Sequence, residues 1–87
     1  MDIALVTGAS SGLGAEFVGA LAEQGKVDEI WAIARRKERL AKLAAECIPA
    51  CIRPIPLDLT DRKSFAVLRS LLEQERATIR ILINDAG

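Results

Sequence analysis

Short apolar runs alternate along this chain with longer stretches in which apolar residues recur every three or four positions. The short runs predict strands at Asp2–Val6, Glu29–Ala34, Cys51–Leu57 and Ile79–Ile83. The longer stretches predict helices at Leu13–Gln24, Arg36–Cys47 and Asp61–Glu75. Strands that alternate with helices imply a parallel sheet joined by helical crossovers. Right-handed crossovers then restrict the strand order to 3-2-1-4. Pro54 and Pro56 have no N–H for a ladder, which places the third strand at an edge.

Each helix has a predicted buried stripe. In the first it is Leu13, Phe17 and Leu21 with Val18 beside them; Gly19 in mid-helix implies close packing, and Gly25 is placed to end the helix. In the second it is Leu40, Leu43, Ala44 and Cys47, with Glu38 and Lys42 facing each other on the wet side. In the third it is Phe65, Leu68 and Leu72, with Thr60 as N-cap and Asp61 favourable in the first turn.

Composition narrows the functional classes. With 87 residues the chain holds one small domain at most, and 51% apolar residues suffice for a core. No apolar run approaches the ~20 residues of a membrane span, and no signal peptide is read at the N-terminus. A net charge of zero without a charged tail argues against a nucleic-acid partner. Two cysteines, Cys47 and Cys51, and no histidine argue against zinc. The thiols are expected to be reduced, in a cytoplasmic protein.

The first strand runs into Thr7-Gly8-Ala9-Ser10-Ser11-Gly12-Leu13-Gly14, which opens the first helix. Strand, glycine-rich turn and helix together put a phosphate on a helix N-terminus. Gly8 suits the tight turn, Gly12 admits a pyrophosphate to the backbone, and Gly14 lets the helix lie close to its strand. The expected architecture is half of a Rossmann fold, a three-layer α/β/α unit with a parallel sheet, truncated after the fourth strand.

In dinucleotide folds the end of the second strand, ~20 residues after the motif, selects the cofactor. Ala34 stands there, followed by Arg35, Arg36 and Lys37. Cations at a helix N-terminus oppose its dipole, and an anion among them resolves the conflict. The 2′-phosphate of NADP fits, with Arg35 able to grip it through two hydrogen bonds. A solvated basic cluster, half neutralised by Glu38, is the alternative. Asp58 closes the third strand, where its carboxylate could accept from the adenine amino group while the Leu59 amide donates to the ring; it could equally help to cap the third helix. Asn84-Asp85-Ala86-Gly87 follows the fourth strand, beside the crevice where ligands bind, and Ala86 and Gly87 are small enough to admit a ribose; the same residues suit a plain turn.

These motifs in this order resemble the N-terminal part of the short-chain dehydrogenase/reductase family. Thr7–Gly14 is similar to the family's TGxxxGxG motif, Asp58-Leu59-Thr60 to its adenine-site stretch, and Asn84–Gly87 to its NNAG motif with Asp85 in place of the second Asn. The resemblance spans the whole chain. It implies a Rossmann fold that binds NAD(P), with Ser10, Ser11 and Leu13 near the phosphates and ribose and Asn84 supporting the sheet. Members are typically about 250 residues long. The resemblance also implies a catalytic Ser and a Tyr-x-x-x-Lys pair beyond Gly87; this chain has no tyrosine.

The expected function is therefore the NADP(H)-binding portion of an oxidoreductase that moves hydride between a nicotinamide cofactor and a carbonyl or alcohol. A non-catalytic nucleotide-binding module and an inactive fragment are the alternatives. An S-adenosylmethionine methyltransferase is more remote, because it would normally carry a carboxylate at Ala34. The apolar fourth strand needs cover on its open edge, from a missing C-terminal half or another chain.

Overall fold

The computed structural model describes residues 1–9, 12–47 and 51–84. Its elements are β1 (Asp2–Thr7), α1 (Gly12–Gln24), β2 (Glu29–Ala34), α2 (Lys37–Glu46), β3 (Ile52–Pro56), α3 (Arg62–Gln74) and β4 (Thr78–Asn84). The four strands form one sheet in the order β3-β2-β1-β4, and every neighbouring pair is parallel. Pro54 and Pro56 lie on the edge strand β3, where a missing donor costs the ladder least.

Two apolar cores sandwich the sheet, one on each face. Ala4, Val6, Ile30, Ala32 and Ala34 pack against Val18 and Leu21 of α1 and Leu40 and Leu43 of α2. Ile3, Leu5, Trp31, Ile33 and Ile55 pack against Leu68 of α3, with Leu71 and Leu72 at the margin. Small residues face α1 and α2, so those helices approach closely; the opposite face carries the bulky Trp31. One helix thus covers a face that elsewhere takes two.

Trp31 also locks the far end of α3. Its indole N–H donates to Glu29 at 2.9 Å, and the Arg53 guanidinium lies 5.0 Å from the ring centroid. Arg53 in turn pairs with Glu75, the C-cap residue of α3. A cation over a buried ring contributes on the order of 1 kcal/mol.

Several local expectations are revised. The buried stripe of α1 is Gly14, Val18 and Leu21, while Leu13 is 56% and Phe17 37% exposed. The line of contact is set by Gly14, which rotates the two larger residues off the sheet. Gly19 is not tightly packed: a Cβ there meets nothing within 4 Å. In α2, Lys42 pairs with Glu46 rather than Glu38, at 4.0 Å and in solvent, so the pair adds little. The cap of α3 is Asp61, whose carboxylate accepts from the Lys63 N–H at 3.0 Å; Thr60 does not cap the helix. Phe65 is 56% exposed, and Ser64 takes the buried position beside Leu68.

At β4 the register with β1 shifts between Ile3 and Ala4, passing over Arg80. Ile79 and Leu82, opposite Ile3 and Leu5, therefore share the α3 face, where both are exposed. Arg80 turns to Asp2, with Nε 3.2 Å from Oδ1. No helix among the described residues is long and apolar enough to cross a membrane.

The two helical glycines of α1 make opposite predictions. A Cβ on Gly14 runs into the Gly8 carbonyl oxygen and sits 3.2 Å from the Ala9 Cα, all backbone. Gly14→Ala should destabilise the fold by about 1–3 kcal/mol or more. Gly19→Ala should stabilise it by roughly 0.5–1 kcal/mol, because the methyl has room and the unfolded chain loses freedom. Urea unfolding of both variants checks this; a neutral Gly14→Ala would refute the close approach.

Candidate functional site

Parallel strands all end on the same side, so Thr7, Ala34, Pro56 and Asn84 bring their loops to one edge of the sheet. The first loop turns sharply: Gly8 has φ 67° and Gly12 φ 56°, conformations that side chains with a Cβ rarely adopt. Ala9 is fully buried, and its N–H donates to the Ile33 carbonyl at 3.2 Å, which ties the turn across the end of β2. Gly14 then seats the start of α1 directly on Gly8. Nothing lies within 4 Å of a Cβ on Gly12, so the backbone there faces open space. Ser10 and Ser11 lie outside the described residues, as do Asp85, Ala86 and Gly87.

The second loop supplies positive charge. Arg36 occupies the N-cap of α2 but makes no side-chain cap, so among the described residues no side chain meets the first N–H groups of this helix. Arg35, Arg36 and Lys37 are all exposed around it. Helix dipole and side chains thus carry the same sign at this end of α2, which suits an anion.

The third loop supplies a carboxylate. The Leu57 N–H donates to the Ala34 carbonyl at 3.0 Å and carries the β3 pairing past Pro56. Leu59 packs into the core under α3. Between them, Asp58 Oδ1 accepts from the Thr60 hydroxyl at 2.6 Å and from the Thr60 N–H at 3.0 Å. These two bonds, the hydroxyl first, hold the Asp58 carboxyl below its ordinary range, and nearby Arg35 adds to the effect. The Leu57 bond to the Ala34 carbonyl places the two loops side by side.

The fourth loop begins at Asn84. Its Oδ1 accepts from the Thr7 hydroxyl at 2.7 Å, a bond that joins the ends of β1 and β4. The structure therefore gathers Gly8, Gly12, Leu13, Gly14, Arg35, Arg36, Asp58, Leu59 and Asn84 along one edge. Two contributors were missed in the sequence. Thr7 read only as the opening residue of the glycine motif, and Thr60 as a helix cap and a member of the adenine-site stretch, neither with a bond of its own. The Asp-x-Thr spacing is the signal that marks Thr60, since a hydroxyl and an amide two residues on are within reach of an Asp side chain.

The donor set fits a phosphorylated dinucleotide. An uncapped helix start with two guanidinium groups matches a phosphate monoester, and an ionised carboxylate matches an amino group.

Comparison with known proteins gives the family. The family described as short chain dehydrogenase matches residues 2–87. Human dehydrogenase/reductase SDR family member 11 is 35% identical over 89 residues, covering 98% of this chain and 34% of its own length. The NADP-dependent 3-hydroxy acid dehydrogenase of Schizosaccharomyces pombe is 38% identical, covering 95% and 33%. A short-chain dehydrogenase from Sphingobium yanoikuyae, solved in complex with NADPH, superposes with a TM-score of 0.82 at 34% identity, covering 100% of this chain and 34% of its own. The chain thus spans about a third of the length of these relatives.

Titration of Asp58 tests the third loop. Its folded pKa should lie below the ordinary 3.8, as followed by carboxyl NMR shifts. A lowered value means that the ionised form favours the folded state. That contribution is complete above the unfolded pKa and is lost as pH falls through the folded one. A folded pKa at or above 3.8 would contradict the Thr60 contacts.

Proposed function

Because the chain belongs to the short chain dehydrogenase family, we propose that it forms the NADP(H)-binding portion of an oxidoreductase acting on a carbonyl or alcohol. The observation that carries the cofactor choice is the uncapped start of α2 beside Arg35 and Arg36, with Ala34 where an NAD site would hold a carboxylate. An acid at Ala34 would meet the ribose hydroxyls and repel a 2′-phosphate. Arginines there attract it. The Schizosaccharomyces pombe relative is named as NADP-dependent, and the Sphingobium yanoikuyae relative was solved with NADPH, which supports the same reading.

When bound, the nicotinamide supplies hydride. The residues of this chain bind and orient. Gly8 and Gly12 with the start of α1 receive the pyrophosphate, joined by Ser10 and Ser11. Arg35 and Arg36 hold the 2′-phosphate, and Asp58 with the Leu59 amide holds the adenine. Leu13 lies near the phosphates and adenosine ribose, Asn84 supports the sheet and the adenosine side, and Ala86 and Gly87 admit a cofactor ribose. With no tyrosine in the chain, proton delivery to a carbonyl falls to groups outside it. The exposed edge of β4, with Ile79 and Leu82, receives the remainder of a longer domain or another chain. The free thiols of Cys47 and Cys51 suit the cytoplasm.

Calorimetric titration with NADPH and NADH tests the cofactor assignment. Arg35→Asp should weaken NADPH by roughly ten- to a hundredfold, the scale of a lost charge-assisted contact, and leave NADH nearly unchanged. Equal losses for both nucleotides would remove the phosphate grip.

A further inference from the structure

We infer that Thr60 is a positioning residue for the adenine end of this site: it fixes the Asp58 carboxylate so that Oδ2 is presented to the exocyclic amino group of the base. The inference rests on the dinucleotide reading above and goes beyond it in naming what orients the carboxylate.

The geometry leaves Thr60 no helical duty. Asp61 caps α3 through the Lys63 N–H, so the Thr60 hydroxyl is free of the role its place suggests. Both Thr60 donors converge on a single oxygen, Oδ1 of Asp58. Among the described residues no hydrogen bond is formed by Oδ2. The backbone on either side is anchored, by the Leu57 bond to Ala34 and by Leu59 in the core. The remaining freedom lies in the Asp58 side chain, and two bonds to one oxygen remove most of it. A carboxylate so held offers one oxygen to the backbone turn and one to the cleft.

This arrangement selects a base by the polarity of its edge. The 6-amino group of adenine is a donor and suits Oδ2. A 6-oxo purine presents an acceptor at the same place and meets the carboxylate with like polarity. A loosely held carboxylate could swing away from the oxo group and would discriminate poorly. Thr60 acts through Asp58, and its loss should appear as lost selectivity before lost affinity.

The test is calorimetric titration of the whole chain with NADPH and with its hypoxanthine analogue, nicotinamide hypoxanthine dinucleotide phosphate. The wild type should prefer NADPH by about tenfold, the scale of one lost charge-assisted hydrogen bond. Thr60→Val should bring the two affinities within about twofold, and Thr60→Ser should restore the preference. Retention of the full preference in Thr60→Val overturns the inference, and so does a wild type that binds both nucleotides equally. A wild type that binds neither removes the dinucleotide reading itself. Carboxyl NMR gives an arm that needs no ligand: the Asp58 pKa should rise in Thr60→Val and return in Thr60→Ser, and an unchanged value overturns the inference independently of binding.

Discussion

The start of α1 rests on the Gly8 carbonyl with no room for a methyl group between them. That backbone contact sets the rotation of the helix, since the residues in line with Gly14 are those that reach the sheet. It brings Val18 and Leu21 onto Ala4 and Val6 and turns Leu13 and Phe17 away. The remaining loops are placed relative to this one: Ala9 reaches Ile33, Leu57 reaches Ala34, and Thr7 reaches Asn84.

Electrostatics complete what the backbone arranges. The α2 start and its arginines make one pole, and Asp58 makes the other, close enough that Arg35 helps to keep the carboxyl ionised. An exposed ion pair between them would have little energy of its own. Surface charge here adds little to stability.

The order of elements and the sheet topology could be read from periodicity, because strand–helix alternation leaves few allowed arrangements. Pro54 and Pro56 identified an edge for a local chemical reason that tertiary structure could not override. The errors fall where two residues compete for one role. Leu13 and Phe17 have the spacing of a buried stripe, but Gly14 and Val18 share that spacing one position along, and only the glycine contact decides between them. Phe65 loses to Ser64 in the same way: α3 has a single sheet face to meet, and hydrophobicity alone does not say which flank meets it. Thr60 and Asp61 are both good caps; Asp58 captured the threonine and left the cap to its neighbour. In the site, the glycines and the arginines stood out because they break local rules. The Thr7 bond to Asn84 joins strands far apart in sequence, and no local pattern marks it.

The central position of β1 has a consequence for synthesis. Its partner on one side, β2, follows after a single helix, but its partner on the other, β4, comes only after β2, α2, β3 and α3. Even the first peptide unit waits for it, since the Met1 carbonyl accepts from the Thr78 N–H at 2.7 Å. A ribosome adding about 5–20 residues per second exposes one flank of the innermost strand for several seconds or more before its neighbour emerges. During that interval Ile3, Leu5 and the rest of the ribbon form a sticky template. Strand order alone thus delays completion of the sheet about its innermost strand.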